Sequence, residues 1–508
     1  MVGEGSLFQK ILRSRDLNDA NLETSIEDLP DESLFANIED VAERIREAIY
    51  NNEPMIIFGH DDPDGITSSY VLYNYLNSCG YQRHSYYIPN RNLESHGIQA
   101  GFIEHVRKGG FKLVITVDNG ISARDGVAKL NELGCDVLIT DHHLIQPDML
   151  PDAKAILNPQ LPYCKYPFKP LAGVGVALML IRYLAKKWDH PIDEASYFWA
   201  AVGSIADKVP MTGINRVIVR HVLNNFHAVQ DQTVNFLLRN YSRVDSPSDV
   251  FNFITYTSRL IANGREVDGQ HTALRFILQL SDAKAKLFET LEEQKHKWES
   301  ELNRVFSFLD TLSQDFVGSH FVYYDDDDVI PYSLLGTAST YIVNRLGIPT
   351  IMLKQHNGKM VCEGRCSDGF NMVDAFSHCK AHLIQFGGHA KAAGFSMEIG
   401  SYDAFLECFN DFLTSSYDPD EDADGLSYDA VCEIAQMDSA TWKQLERLLP
   451  WGQKNAEPTL LIKNLSVNDL VGTWSLDSGS LHLGKDQQAD CLALWRGEKQ
   501  IRILKILN

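Results

Sequence analysis

Three apolar runs in the first third of the chain are each followed at once by carboxylate and imidazole side chains. The runs MIIF, LVIT and VLI precede the segments GHDDPDG at 59–65, VDNG at 117–120 and TDHH at 140–143. Short continuous apolar runs of this kind predict buried parallel strands. Because the loops at the carboxyl ends of parallel strands carry the chemistry of such folds, we expect the three segments to meet in one crevice.

The side chains that would enter this crevice are ligands for divalent metal ions. Carboxylates and imidazoles without a thiolate favour Mn²⁺ or Mg²⁺ over softer metals. We therefore predict a hydrolytic site that holds two divalent metal ions, Mn²⁺ or Mg²⁺. The predicted metal ligands are His60, Asp62, Asp64, Asp118, His142 and Asp207.

The spacing of the first segment supports this interpretation. His60, Asp62 and Asp64 are two residues apart, so in an extended loop they would point in the same direction. Clusters of Asp, Pro and Gly are also ordinary turn formers, and for this segment alone that alternative stays open. An isolated Asp207 is likewise more typical of a helix cap or an exposed acid. The metal-site interpretation depends on all the segments together.

Three residues of the second and third segments are expected to have catalytic roles. Asp118 is placed to bridge two ions. Asp141 is expected to orient a neighbouring histidine, as metal-bound imidazoles usually require. His143 is predicted to bind a second ion or to meet the scissile phosphate.

Composition and charge narrow the class of protein. The 508 residues are 44% apolar and 22% charged, which is typical of a globular protein with about three domains. No apolar run approaches the roughly 20 residues of a membrane span, and the N-terminus lacks a signal-peptide pattern. The nine cysteines show no CxxC pair, which predicts reduced thiols in a cytoplasmic protein. The net charge of −22 argues against a generic nucleic-acid coat, but it allows a nuclease with a local basic groove.

Helix-like and strand-like patterns divide the chain into successive segments. Strand and helix patterns alternate after the N-terminal region, which predicts an α/β fold with a mostly parallel sheet. A long charged stretch without Pro or Gly then predicts a connector helix, and short strands with turns near the end predict a small OB-like β-barrel. The predicted boundaries are a helical segment at 1–50, an α/β domain at 51–281, the connector helix at 282–317, a second α/β domain at 318–413, an acidic linker at 414–427 and the OB-like domain at 428–508.

Several longer motifs resemble one family. The triplet at 141–143, GGHAKAAG at 387–394 and LLPWGQKNAEP at 448–458 are similar to motifs of the DHH phosphoesterase superfamily, and more narrowly to the RecJ family of single-strand-specific exonucleases. The resemblance covers nearly the whole chain. It implies a DHH domain joined by the long helix to a DHH-associated domain. It also implies metal-dependent 5′→3′ hydrolysis of single-stranded DNA to 5′-mononucleotides in DNA repair and recombination.

The resemblance also implies where the nucleic acid binds. GGHAKAAG alone would be an ordinary glycine turn, but in this family it implies a nucleic-acid-binding loop whose backbone amides approach phosphate oxygens. Arginine suits such contacts because its planar fork can bind phosphate through two nitrogens. The implied contacts with the strand are Arg91, Arg265, Arg365, Gly387, Gly388 and His389. Exposed tryptophans of the last domain could stack bases, although core packing is their more common fate.

Departures from the family pattern keep alternatives open. His60 stands where bacterial members usually have Asp, which slightly favours an enzyme of short oligonucleotides, like the nanoRNases. A non-catalytic replication scaffold is a second alternative, but such a protein would be expected to lose metal ligands, and every ligand position here carries Asp or His. The choice between DNA and RNA, and partnership with a single-strand-binding protein or a helicase, stay open.

Overall fold

The protein, analysed as a computed structural model, consists of two compact units: residues 1–295 together with 428–508, and residues 296–427. The structure describes residues 5–90, 97–267, 270–279, 283–314, 316–367, 369–416, 427–477, 480–481, 483–484 and 487–507. Arg91, a predicted phosphate contact, lies outside the described residues. Within the described ranges, no helix combines the length and the apolar character needed to cross a membrane.

A five-stranded parallel sheet forms the centre of the first unit. Its strands are β1 (Met55–Phe58), β2 (His84–Tyr87), β3 (Leu113–Val117), β4 (Asp136–Thr140) and β5 (Ala155–Leu157), in the order β2-β1-β3-β4-β5. Strands β1 and β3 are buried along their whole length, as their apolar sequences predict. Strands β2 and β3 lie on opposite sides of β1 in the sheet. In a parallel sheet, this reversal of strand order opens a crevice between the carboxyl ends of β1 and β3.

Helices cover the sheet and extend the domain. Three of them precede the sheet: α1 (Leu7–Ser14), α2 (Asp19–Leu22) and α3 (Ile38–Tyr50). The next nine are α4 (Pro63–Ser78), α5 (Ala100–Gly109), α6 (Arg124–Glu132), α7 (Gly173–Trp188), α8 (Glu194–Ala206), α9 (Gly213–Asn225), α10 (Gln232–Arg239), α11 (Pro247–Ile261) and α12 (Thr272–Leu278), with a short hairpin of β6 (Glu266–Val267) and β7 (Gln270–His271) before α12. The helices α4, α7 and α8 pack against one another, and most of their residues are buried. Helices α7 and α8 are largely apolar, whereas α4 also buries small polar side chains.

The second unit is a smaller α/β domain that the chain enters through one long helix, α13 (Ala283–Ser313). Its strands are β8 (Phe321–Tyr324), β9 (Thr350–His356), β10 (Lys359–Arg365), β11 (Gln385–His389) and β12 (Ala392–Met397), in the order β11-β12-β10-β9-β8. Only β8 and β9 pair in parallel. The helices α14 (Leu335–Leu346), α15 (Met372–His378) and α16 (Tyr402–Ser416) complete two apolar clusters in this unit.

One expectation about the cysteines is wrong. Cys379, which follows α15, is joined by a disulfide to Cys408 of α16, with the two Cα atoms 5.8 Å apart. The other seven cysteines are free thiols. The sequence contains no local signal for this pair, because 29 residues separate the two cysteines and only the packing of α15 on α16 brings them together.

The C-terminal domain is a five-stranded sheet of β13 (Ala430–Cys432), β14 (Thr459–Ser466), β15 (Ser475–Leu476), β16 (Gln488–Gly497) and β17 (Gln500–Leu507), with two short helices, α17 (Ser439–Leu445) and α18 (Val467–Leu470). The tryptophans at 442, 451 and 495 are buried in its core. Trp474 is half-buried, and the Lys499 ammonium lies 4.7 Å from its ring centre. Three of the four tryptophans of this domain therefore pack in its core.

This domain shares one apolar core with the parallel-sheet domain. Arg216 of α9 donates to the backbone oxygens of Leu448 and Arg447 at 2.7 and 2.8 Å. At the other end of the chain, the Arg15 guanidinium binds the Asp429 carboxylate with an N–O distance of 2.6 Å. The N-terminal helices and the C-terminal domain therefore belong to the same folded unit as the crevice.

Candidate metal centre

The predicted ligands lie together at the carboxyl ends of β1, β3 and β4. They form three overlapping groups, and in each group the potential ligand atoms lie within 4.8 Å of one another. The groups are His60, Asp62 and Asp118; Asp64, His142 and Asp207; and Asp118, Asp141, His142 and His143. Asp118 and His142 each belong to two groups. The structure thus brings every predicted metal ligand and catalytic residue to one crevice.

The loop after β1 is shorter than the spacing suggested. Helix α4 already begins at Pro63, with Asp62 as its N-cap, whose carboxylate accepts a 2.9 Å hydrogen bond from the Gly65 amide. Asp64 therefore lies in the first helical turn, and the expectation of three ligands on one extended loop is wrong. The helical turn separates the two acids: Asp62 Oδ2 lies 3.1 Å from His60 Nδ1, whereas Asp64 is buried beside His142 and Asp207.

Asp118 occupies the centre of the site in a left-handed backbone conformation, with φ of 60°. This conformation is uncommon for residues other than glycine, and such residues cluster at functional sites. Two threonines hold the turn: Thr116 Oγ1 donates to the Asn119 carbonyl at 2.7 Å, and Thr140 Oγ1 donates to the Thr116 carbonyl at 2.7 Å. The turn directs the Asp118 carboxylate towards both neighbouring ligand groups.

The contact between His142 and Asp118 fits a shared metal ion. His142 Nδ1 lies 2.8 Å from the Leu171 carbonyl, so this nitrogen carries the proton and donates. Nε2 then faces Asp118 Oδ1 at 3.1 Å, and that buried oxygen accepts no hydrogen bond from the described residues. A metal ion bound to both atoms would satisfy them. The donor set of this crevice therefore fits Mn²⁺ or Mg²⁺.

Asp64 is held by a contact that the sequence analysis missed. Its two carboxylate oxygens accept hydrogen bonds from the backbone amides of Gly173 and Val174, both at 2.7 Å. These amides open α7, and a helix N-terminus favours a carboxylate through its unpaired N–H groups and its dipole. The sequence signal was the segment LAGVGV, in which a helix pattern starts without a Ser, Thr, Asp or Asn cap.

Asp141 orients His143. Its Oδ1 accepts from His143 Nδ1 at 2.7 Å and from the His142 amide at 2.7 Å, while Oδ2 accepts from the Ile121 amide at 2.9 Å. Asp141 is buried, whereas the His143 side chain is 59% exposed. Asp141 thus anchors the imidazole through Nδ1, while most of the ring remains exposed.

The crowded carboxylates shift one another's pKa values. Burial raises the pKa of Asp118 well above its usual range, with the neighbouring Asp64 carboxylate as the next cause. Burial likewise raises the pKa of Asp64, and it raises the pKa of Asp207 to about 7, again with a contribution from Asp64. These three shifts show a local excess of negative charge, which a divalent cation would relieve.

The Asp141–His143 pair shifts in the opposite direction. Burial acts to raise the pKa of Asp141, but the hydrogen bond and charge of His143 outweigh it and leave that pKa below its usual value. The hydrogen bond to Asp141 in turn raises the pKa of His143. The raised pKa favours the protonated form of His143, which suits a contact with phosphate.

The predicted nucleic-acid contacts of the second unit lie on a strand and not in a loop. Gly387, Gly388 and His389 belong to β11, an edge strand that is exposed along its whole length. Ala392 of β12 pairs with both His389 and Arg365, so these two side chains lie on one face of the sheet, two strands apart. The expected glycine loop is wrong, because the turn of the hairpin falls only at residues 390–391.

Two of the arginines predicted to contact phosphate, Arg365 and Arg265, bind groups of the protein itself. Arg365 Nη1 lies 3.0 Å from the Glu363 carboxylate, and the side chain is 25% exposed. Arg265, which is exposed and belongs to the first unit, donates to the carbonyl of Gly264 at 2.6 Å. Their roles as phosphate contacts remain predictions.

Two family models match the chain. The model of the DHH family, N-terminal domain, matches residues 54–202, and that of the RecJ OB domain matches residues 428–503. A protein of Bacillus subtilis (strain 168), named single-stranded-DNA-specific exonuclease RecJ, is 28% identical to this chain over 488 residues; the alignment covers 94% of this chain and 61% of the relative. A protein of the same name from Salmonella typhimurium (strain LT2) is 29% identical over 479 residues; that alignment covers 89% of this chain and 82% of the relative. The chain thus spans less than two thirds of the Bacillus protein.

Solved structures have the same fold. RecJ of Thermus thermophilus in complex with Mn²⁺ aligns with a TM-score of 0.72 at 21% identity, over 98% of this chain and 74% of that chain. The Mg²⁺ complex of the same protein aligns with a TM-score of 0.66 at 20% identity, over 99% of this chain and 74% of that chain. Together, these matches show that the chain has the fold of the RecJ structures, with a domain similar to the DHH family at residues 54–202 and one similar to the RecJ OB domain at residues 428–503.

Proposed function

We propose that this chain is a two-metal exonuclease that hydrolyses single-stranded DNA from its 5′ end to 5′-mononucleotides during DNA repair and recombination. The observation that carries the proposal is the cluster of acids and histidines around Asp118, in which His142 Nε2 lies 3.1 Å from Asp118 Oδ1. The relatives named single-stranded-DNA-specific exonucleases support the substrate and the reaction.

The crevice offers ligands for two ions that share Asp118. One ion would be held by His60, Asp62 and Asp118, and the other by Asp64, Asp118, His142 and Asp207. Bound divalent ions in such a pair supply a nucleophilic hydroxide at neutral pH and stabilise the attacking and leaving oxygens. The protein itself helps to orient these ligands, because the backbone binds the side chains of Asp64 and His142 and the left-handed turn positions Asp118.

His143 has a separate task at the phosphate. Its imidazole is anchored by Asp141 through Nδ1, and that hydrogen bond raises its pKa and so favours the protonated form. The exposed Nε2–H would donate to a non-bridging oxygen of the scissile phosphate. A donor preorganised for charge that develops during the reaction stabilises the transition state more than the ground state.

Residues away from the crevice would hold the rest of the strand. We assign phosphate contacts to Arg365, His389 and the amides of Gly387 and Gly388 on the edge of the second unit's sheet, and to Arg265 and Arg91 in the first. The exposed strand β11 carries no bulky side chain at its two glycines, so a phosphate could approach its backbone. These contacts would be largely electrostatic and independent of base sequence.

The biological setting is part of the proposal. A cytoplasmic location follows from action on chromosomal intermediates, where a helicase would supply single strands and a single-strand-binding protein would cover them. RNA as an alternative strand is tested by the same assay. Neither partner is required for the chemistry of the crevice.

The deciding experiment is degradation of a long single-stranded DNA that carries a label at its 5′ or its 3′ end, with Mn²⁺ or Mg²⁺. Immediate release of a labelled mononucleotide from the 5′ end, absent in Asp118→Asn, is the expected result. Asn tolerates the left-handed backbone at position 118, so this variant removes the charge and keeps the turn. Release from the 3′ end first, or equal activity of the variant, would contradict the proposal.

A second candidate function is supported by His60. Because bacterial members of the family usually carry Asp at this position, the first metal group here has one negative charge fewer than theirs. Hydrolysis of oligonucleotides of two to five residues, with no cleavage of the long strand, would replace the exonuclease by an enzyme of short oligonucleotides. The same assay, run with a dinucleotide and with single-stranded RNA beside the long DNA, separates these substrates.

A further inference from the structure

We propose that the 171–174 segment at the start of α7 is the positioning element of the metal centre, and that Gly173 is its decisive residue. The inference rests on the proposed two-metal function but concerns how the ligands are held. None of the four residues supplies a side chain to the ions. The segment acts through its backbone and through the absence of a side chain at position 173.

The backbone of this segment binds ligands from two separate parts of the chain. The Leu171 carbonyl accepts from His142 Nδ1 at 2.8 Å and thereby fixes which imidazole nitrogen is free for metal. The amides of Gly173 and Val174 donate to the two oxygens of Asp64, each at 2.7 Å. Three residues of this four-residue segment thus set the orientation of one ligand from the β4 loop and one from the first turn of α4.

The missing side chain of Gly173 makes room for a third ligand. A Cβ atom at this position would lie 2.5 Å from both Cβ and Oδ1 of Asp118, far inside van der Waals contact. Asp118 cannot easily yield, because it is buried and its turn is held by Thr116 and Thr140. A side chain at position 173 would therefore displace the one carboxylate that both metal groups share.

The segment is itself tied to the loop of the fourth ligand. The buried Asn215 amide donates to the Pro170 carbonyl at 2.7 Å and to the Pro210 carbonyl at 3.1 Å. Pro210 lies three residues after Asp207. The residues around the start of α7 thus connect the positions of Asp64, His142 and Asp118 with the loop that follows Asp207.

The test compares Gly173→Ala with Gly175→Ala, a glycine two residues further along the same helix. A Cβ at position 175 would meet only the Leu171 side chain, at 3.2 Å or more, and a flexible side chain can move by a few tenths of an ångström. Mn²⁺ binding to the metal-free proteins is measured by titration calorimetry and by loss of the free-Mn²⁺ EPR signal, without DNA. We expect Gly173→Ala to lose affinity by about tenfold or more, and Gly175→Ala to stay within about twofold of the wild type.

Two results would overturn the inference. One is a Gly173→Ala protein that binds Mn²⁺ as the wild type does. The other is an equal loss of affinity in Gly175→Ala, which would show a general effect on α7. A wild-type protein that binds Mn²⁺ but does not cleave single-stranded DNA would count against the nuclease function alone, because the comparison of the two variants does not use activity.

A second pair of variants applies if Gly173→Ala folds poorly. Asp118→Gly removes the atoms that the new Cβ would meet, and glycine readily takes the positive φ of this position. Gly173→Ala should then lower the melting temperature of the metal-free wild type clearly more than that of the Asp118→Gly protein. An equal decrease in melting temperature in both proteins would show that the new Cβ does not collide with the Asp118 side chain. That result would overturn the steric part of the inference.

Discussion

The crevice of the parallel sheet and the edge strand β11 of the second unit are built in opposite ways. In the crevice, Asp64, Asp118 and Asp141 are buried, and backbone amides or a strained turn determine where each carboxylate points. On β11, His389 is exposed and the sheet pairing alone determines its position. The comparison indicates that a metal site requires ligands fixed at buried positions, whereas binding a polyanion requires only accessible hydrogen-bond donors and cationic side chains.

The largest effect is expected from replacing Asp118, the ligand that the two proposed metal ions would share. Asp118→Asn should reduce kcat for single-stranded DNA by about 10³-fold, since several kcal/mol of charge stabilisation depend on the ions that it helps to hold. Single-turnover kinetics with saturating Mn²⁺ measure this loss. Asp125→Asn is the matched control, because that acid is 89% exposed on α6 and should keep full activity.

A smaller effect separates metal binding from the contact with phosphate. His143→Gln should lower kcat by about 10²-fold, the usual contribution of a positioned proton donor, while Mn²⁺ affinity stays near that of the wild type. Calorimetry and kinetics on the same preparation give both values. A large decrease in Mn²⁺ affinity would instead assign His143 to the metal ligands.

A third pair of substitutions tests the sheet face of the second unit that carries Arg365 and His389. Arg365→Ala and His389→Ala should each raise KM for long single-stranded DNA by about tenfold or less and leave kcat unchanged, and the arginine variant should reduce the salt slope of binding by about one. Lys359→Ala, at the other end of β10, is the control. An unchanged KM in both variants would remove this face from the substrate path.

The smallest expected effect concerns pH and stability without metal. Asp207 holds its proton more tightly in the folded protein, with a pKa of about 7 against the usual 3.8, so its contribution to stability is present at acid pH and is lost as pH rises through 7. The melting temperature of the metal-free protein should therefore fall by a few degrees between pH 5 and pH 8.

Two comparisons check the origin of that pH dependence. Saturating Mn²⁺ should abolish the decrease in melting temperature, because the ions offset the repulsion among the carboxylates. Asp207→Asn should reduce it in the metal-free protein. A metal-free melting temperature that rises over this range would show that other groups dominate.

The sequence alone was sufficient for the strands and the chemistry. The runs before His60, Asp118 and Asp141 are apolar almost throughout, so they predicted buried parallel strands, and the topology rule then placed their loops together. The residue types predicted the metal class, since carboxylates and imidazoles select hard and borderline cations. These features are local, and local patterns can be read without the fold.

The tertiary structure decided how the ligands are held. Nothing near Asp64 in the sequence indicates that the amides of Gly173 and Val174 bind it, because more than a hundred residues separate them and only the packing of α4 on α7 brings them together. The same holds for the Cys379–Cys408 disulfide and for the strand conformation of His389. Short-range patterns determine which groups are available, whereas distances between distant segments follow only from the packed core.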